Sequence, residues 1–219
     1  MPTELQAVLF DMDGTIVDTE RLWRQAVEEE ALGLGLVLTD ADLPFVLGRG
    51  IEDCAEHLAA RAVGRVRSAQ LGDSLEQRFT ELVHRQVVPM PGAVELVAAV
   101  HAAGVPMALV SASPRPVVNT VLDVIGRNWF VTSVAAGETP RTKPSPDPYR
   151  AALTTLGAAP ARCVAVEDSP TGVASAEAAD CAVLAVPSLT DIPVAPGRTV
   201  VRTLSDVDVA LLRAMVAGR

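Results

Sequence analysis

Two aspartates stand two residues apart where an apolar run stops: Leu5-Gln6-Ala7-Val8-Leu9-Phe10 gives way to Asp11-Met12-Asp13-Gly14-Thr15. The same punctuation recurs. Met107-Ala108-Leu109-Val110 stops at Ser111, Val164-Ala165-Val166 stops at Glu167-Asp168, and a proline-rich stretch between them holds Lys143. Short apolar runs ended by polar turns read as buried strands. Taken singly these groups are ordinary: paired acids after a strand are often a turn, Ser111 a helix-entry residue, Lys143 a surface charge. Together they point to chemistry, because ligands of open α/β sheets bind beyond the carboxyl ends of the strands. Carboxylates gathered at one sheet edge repel each other unless a cation neutralises them. An all-oxygen site of this kind suits Mg²⁺, which keeps waters and a substrate phosphate in its shell. Of the 18 basic residues Lys143 is the single lysine, an ammonium kept in a chain that otherwise uses arginine.

The elements that must position these groups fall into two patterns. Helical periodicity covers roughly 20–36, 51–63 and 73–87, the last with Leu75, Phe79, Leu82 and Val83 on one face. No strand-like run separates them. From Pro91 onward helices and strands alternate. A helix between Pro91 and Gly104 precedes the strand at 107–110, and a helix entered at Ser113-Pro114 closes at Gly126. A strand at 130–135 follows, then a helix from Asp147-Pro148 to Gly157, a strand at 164–166, a helix opened by Ser169-Pro170 and strands at 182–186 and 199–202. This alternation predicts an α/β fold, a doubly wound parallel sheet. An all-helical segment, 18–87, interrupts it after the first strand, leaving 1–17 and 88–219 as the main domain. Residues 18–88 carry thirteen acidic and eight basic residues, so the insert is an acidic, solvated body.

Composition sets the bounds. Hydrophobic residues make up 49% of the 219 residues, enough for a core and too much for disorder. The net charge of −9 offers no basic excess to release phosphate counterions, so nucleic acid is not an expected partner. Cys54, Cys163 and Cys181 are scattered, without a CxxC pair. They read as buried free thiols of a reducing compartment, and a cytoplasmic location is expected. The first apolar run breaks at Asp11 and no run approaches 18 residues, so neither a leader nor a membrane span is expected. A monomer or weak dimer is expected.

The run DMDGT at 11–15, Ser111, the segment Thr142-Lys143-Pro144-Ser145-Pro146-Asp147 and Glu167-Asp168-Ser169 resemble, in order and spacing, the motifs of the haloacid dehalogenase superfamily. The insert is similar to the type-one cap of its phosphatase and beta-phosphoglucomutase-like branch. The resemblance implies that Asp11 is a nucleophile forming an aspartyl-phosphate. It implies that Asp13 protonates the leaving oxygen and later deprotonates the attacking water. Mg²⁺ would be held by Asp11, the Asp13 carbonyl and Asp168, with Glu167 acting through water. Ser111 would donate to a phosphoryl oxygen, Lys143 would offset the charge of Asp11 and phosphate, and Gly14 and Thr15 would belong to the phosphate-binding turn. The sequence departs from the family pattern at Asp180 and Thr142, where glycine is usual, and at Thr139, where an acid is common.

The second acid separates the branches. Carbon–halogen cleavage needs no leaving-group acid, so Asp13 implies phosphoryl transfer. The related mutases carry a histidine on the first cap helix where this chain has Trp23, and His57, His84 and His101 lie elsewhere. Thr15 also matches the phosphatase form. The expectation is therefore a phosphatase of a sugar or nucleoside monophosphate, with a beta-phosphoglucomutase-like mutase as the alternative. A receiver-type phosphoacceptor is more distant, because it would have no insert of this size. Substrate choice is assigned to Glu20, Trp23, Arg49 and Gly50 of the insert and to Arg115, with Arg49 foremost because glycines flank it.

Overall fold

The computed structural model describes residues 4–46, 50–62 and 66–217. The chain divides into two compact units, Met1–Val17 with Pro89–Arg219, and Asp18–Val88. In chain order the first unit begins with β1 (Ala7–Phe10). The second unit follows with α1 (Glu20–Gly33), α2 (Leu43–Val46), α3 (Ile51–Arg61) and α4 (Ser68–Gln86). The first unit resumes with α5 (Ala93–Ala102), β2 (Met107–Val110), α6 (Arg115–Ile125), β3 (Thr132–Val134), α7 (Asp147–Leu156) and β4 (Cys163–Glu167). It ends with α8 (Pro170–Ala178), β5 (Ala182–Ala185), β6 (Arg198–Val200) and α9 (Val209–Ala217).

The first unit is a six-stranded parallel sheet in the order β3-β2-β1-β4-β5-β6. β1, β2, β4 and β5 are buried along their whole length, which is why they read as unbroken apolar runs and not as alternating ones. The strand order reverses at β1, so the crevice outside the ends of β1 and β4 is the place such sheets offer a ligand. Beyond β1 the chain curls at once: the Met12 carbonyl accepts from the backbone N–H of both Ile16 and Val17. Val17 then bridges Pro89, so the chain leaves and re-enters this unit at neighbouring points.

The periodicity missed or misplaced several elements. α4 begins at Ser68 and not near 73, the four-residue α2 escaped notice, and so did α9. Asp180 takes φ +64°, the one non-glycine residue at positive φ among those described, which fits its place where the family has glycine. The three cysteines are free and buried, and burial pushes the thiols of Cys54 to about 12 and of Cys163 to about 11, which keeps them unreactive. Among the described residues no helix is long and apolar enough to cross a membrane.

In the second unit α1 buries Leu22, Trp23, Ala26, Val27 and Ala31, and α4 buries Leu71, Leu75, Phe79, Leu82 and Val83. These are stripes at helical spacing. Arg78 of α4 donates to Glu29 at 2.9 Å and Glu30 at 2.6 Å on α1. A buried carboxylate fixes the connection from α1 to α3. Asp42 accepts from the backbone and hydroxyl of Thr39 through Oδ2 and from His57 Nε2 through Oδ1 at 2.8 Å, with Arg61 Nη1 also at 2.8 Å as a charge contact. The His57 hydrogen bond, the Thr39 donors and Arg61 outweigh burial and hold the Asp42 carboxyl far below the usual carboxylate range. A depressed folded value means that Asp42 stabilises the fold above the ordinary aspartate pKa of about 3.9, and that this contribution is lost as pH falls towards the folded value. Asp42→Asn should therefore cost about 2 kcal/mol at neutral pH. Thermal unfolding of both proteins across acidic to neutral pH should show the gap narrowing as pH drops. Equal stability at neutral pH would remove Asp42 from this role.

Candidate active site

The strand ends bring together what the sequence scattered. Asp11 follows β1, Ser111 follows β2, Glu167 ends β4 with Asp168 next, and Lys143 comes from the loop leading into α7. The backbone ladder runs on past the strands, with Asp11 donating to the Val166 carbonyl at 2.9 Å and Ser111 to Val134 at 2.9 Å. This fixes the first residue of each loop as rigidly as the strand before it.

Lys143 is the centre of the arrangement. Its ammonium donates to Asp11 Oδ1 at 2.6 Å, Glu167 Oε1 at 2.7 Å and the Val110 carbonyl at 2.9 Å, so each of its three protons has an acceptor. Its side chain is 6% exposed and that of Glu167 is fully buried. Burial lowers the Lys143 pKa, but the charges of Asp11 and Glu167 more than reverse this and the ammonium is held charged. Burial and the Asp11 charge push the carboxyls of Glu167 and Asp168 upward. Asp11, Glu167 and Asp168 each offer an oxygen within 4.8 Å of the others. Asp11 Oδ2 is buried and has no hydrogen-bond partner among the described residues. An orphaned carboxylate oxygen in a hard-oxygen cluster of excess negative charge fits a divalent cation.

The other expected residues are placed unevenly. Asp13 stands outside that carboxylate cluster. Its Oδ2 accepts from the hydroxyls of Ser111 at 2.8 Å and Ser113 at 2.9 Å, and Ser111 Oγ in turn accepts from the Ser113 backbone N–H. Gly14 has φ +79°, and a Cβ there would collide with the Asp168 carboxylate, so the turn needs glycine for conformation and for clearance. The Thr15 hydroxyl is buried without a partner among the described residues. Arg115, expected to reach a distal substrate group, is instead tied to Glu138 and to the Ser133 hydroxyl at 2.7 Å. Glu20 opens α1 and Trp23 lies in the interior of the helical unit, its indole N–H donating to the Val46 carbonyl at 2.8 Å and its ring edge-on to Phe79 at 5.4 Å. Arg49 lies outside the described residues. Thr139 donates to the Arg141 carbonyl at 2.9 Å and Thr142 accepts from the Ser145 backbone N–H, so both departures sit within an ordinary loop.

Sequence reading missed Ser113, Tyr149 and Ser188. Ser113 stands two residues after Ser111, a spacing that lets both hydroxyls reach one carboxylate. Tyr149 donates to Glu167 Oε1 at 2.6 Å, and Ser188 donates to Asp168 from the loop after β5. No local signal marks Ser188.

A family model described as haloacid dehalogenase-like hydrolase matches residues 5–180. The protein CbbY of Rhodobacter capsulatus is 35% identical over 196 residues, spanning 84% of this chain and 86% of that protein. Hexitol phosphatase A of Escherichia coli is 33% identical over 198 residues, spanning 84% of each. A crystal structure of a CbbY mutant from Rhodobacter sphaeroides in complex with xylulose 1,5-bisphosphate is 25% identical, with a TM-score of 0.83 over 95% of this chain and 99% of that one.

The geometry makes Lys143 irreplaceable by another cation. Lys143→Met should lower the unfolding free energy by about 3–5 kcal/mol, since it strands buried carboxylates. Lys143→Arg should recover little, because a planar fork cannot point three donors at acceptors on three strand ends. Urea unfolding of the three proteins without divalent cation is the measurement. An Arg variant as stable as the parent would make the single lysine incidental.

Proposed function

Because the chain belongs to the haloacid dehalogenase-like hydrolases, we propose that it is a Mg²⁺-dependent phosphatase acting on a small phosphorylated sugar or sugar alcohol through an aspartyl-phosphate. The observation that carries the reading is the pair Asp11 and Asp13. One carboxylate is clamped by an ammonium with a free oxygen, and the other is held apart by two hydroxyls. A nucleophile and an acid/base need this separation of environments. The substrate class follows the relatives, one named a hexitol phosphatase and one crystallised with a sugar bisphosphate.

In this reading an Asp11 oxygen attacks phosphorus and the ester oxygen departs with the Asp13 proton. Asp13, now ionised, takes a proton from water, whose oxygen attacks the same phosphorus. Inorganic phosphate leaves and Asp11 is regenerated. Lys143 holds Asp11 in one orientation and offsets the charge that gathers on the phosphoryl oxygens. The single hydroxyl proton of Ser111 goes to Asp13 without substrate, and it would have to turn from Asp13 to donate to a phosphoryl oxygen. Asp11 and Asp168, with the Asp13 carbonyl, would hold Mg²⁺, with Glu167 beside them. The ion when bound supplies a Lewis acid that shields the nucleophile from the anionic ester. The helical unit Asp18–Val88 is proposed as the source of substrate selection, from Glu20 and from Arg49. The reading retains a cytoplasmic enzyme, monomeric or weakly dimeric, without a nucleic-acid partner.

Trp23 supports hydrolysis over mutation of the substrate. A mutase keeps its aspartyl-phosphate from water by coupling the acid/base to the cap. The position implied for that coupling holds an indole engaged with Val46 and Phe79, not an imidazole.

Asp11→Asn should retain the parent's circular dichroism and lose all measurable phosphate release, because an amide is not a competent nucleophile; a folded variant that still turns over would remove Asp11 from the mechanism. Hydrolysis against mutation is decided by phosphorus NMR. With Mg²⁺ and either a hexitol phosphate or beta-glucose 1-phosphate with a trace of bisphosphate, the inorganic phosphate signal should grow, and it should stop on chelation. A growing hexose 6-phosphate signal without inorganic phosphate would install the mutase.

A further inference from the structure

The chain has one lysine and one tyrosine, and they meet. Tyr149, in the first turn of α7, is completely buried. Its hydroxyl donates to Glu167 Oε1, the same oxygen that accepts from Lys143, at 2.6 Å against 2.7 Å for the ammonium. The face of its ring lies 5.2 Å from Lys143 Nζ. A phenylalanine would fill this space and keep the ring over the cation. What the hydroxyl adds is one charge-assisted hydrogen bond to a fully buried carboxylate.

Glu167 has little freedom to compensate. Its Oε2 meets the Ser169 hydroxyl at 3.4 Å, a weak contact. Behind it α8 comes so close that any side chain at Gly172 would collide with the carboxylate. The negative charge of Oε1 is therefore divided between two donors, the ammonium and the phenol. Removing the phenol leaves the ammonium as the sole strong donor to a buried carboxylate and draws it towards Glu167. The ammonium moves off Asp11 Oδ1 as it does so.

Building on the phosphatase reading above, we propose that Tyr149 is a positioning residue for Lys143: by sharing Glu167 Oε1 it keeps the ammonium on Asp11. The Tyr149 hydroxyl donates to Glu167 and its ring faces Lys143, so it acts through these two groups. Its effect belongs on turnover and not on substrate affinity.

The single lysine and single tyrosine make the test unambiguous. Protein labelled with ¹⁵N-lysine gives one side-chain ammonium signal, that of Lys143. Tyr149→Phe should move this signal and lower kcat about tenfold with KM little changed, the size of effect seen when a partner of a site residue is lost. In a Glu167→Gln background the same change should leave kcat where Glu167→Gln put it, since the carboxylate through which Tyr149 acts is gone. If Tyr149→Phe folds poorly, 3-fluorotyrosine supplied to a tyrosine auxotroph enters at position 149 alone. As a stronger donor it should move the ammonium signal in the opposite sense to the Phe variant. A Tyr149→Phe protein with lower thermal stability but unmoved ammonium signal and kcat, or a fluorinated protein with an unmoved signal, would make Tyr149 a packing residue and overturn the inference. The NMR arm needs no substrate. If the signal moves but the parent releases no phosphate from any ester, the functional reading fails while the positioning of Lys143 by Tyr149 stands.

Discussion

One ammonium among buried carboxylates is the constraint on which this sheet edge depends. Asp11, Glu167 and Asp168 each offer an oxygen within 4.8 Å of the others, and among the described residues the cation paired with them is Lys143. Such a site holds more carboxylates than cations, and burial, with the Asp11 charge added to it, pushes the carboxyls of Glu167 and Asp168 upward. On the proposed phosphatase function the imbalance has a use. A divalent cation and an anionic phosphate ester bring charges of opposite sign, and a site already balanced by protein side chains would have little reason to bind the pair. The ammonium is kept off the free Asp11 oxygen because its three protons already have acceptors.

The backbone makes this crowding possible at two glycines. Gly14 lies against Asp168 and Gly172 against Glu167, and a methyl group at either place would strike the carboxylate. The first lets the turn after β1 fold over the site; the second lets α8 start directly behind it. With Ser169 accepting from the Gly172 N–H at 3.1 Å, α8 is capped at the point where it supports Glu167. Sheet topology supplies the rest. β1 and β4 are neighbours across the point where the strand order reverses, so the acids that follow them share one crevice.

The two aspartates of the opening motif are kept chemically distinct by what surrounds them. Asp11 faces a cation, whereas Asp13 is held by hydroxyls from the β2 loop, groups that can both give and take hydrogen bonds. In the helical unit, Trp23 serves packing. Its N–H bond to Val46 and its contact with Phe79 tie α1 to α2 and α4, so the position that would distinguish a mutase is committed to the fold of that unit.

The sequence by itself pointed to the strand ends and the helical insert and singled out Asp11, Asp13, Ser111, Lys143, Glu167 and Asp168 as candidates. These are local signals. An apolar run stopped by an acid or a serine is visible within ten residues, because burial on both faces forbids polar residues until the strand ends. The four-residue α2 and the start of α4 were not legible, since a single turn has no period and a helix N-terminus without a capping side chain leaves no mark. Partners were decided only by the tertiary structure. Arg115 has the reach for a substrate group, yet β3 offers it Ser133 and the following loop Glu138. Tyr149 and Ser113 look like a helix residue and a loop residue until strand order sets them beside Glu167 and Asp13. Lys143 and Asp11 are 132 positions apart. Which acid a lysine finds across that distance depends on which strands are adjacent, and strand adjacency is a property of the packed sheet that no local pattern carries.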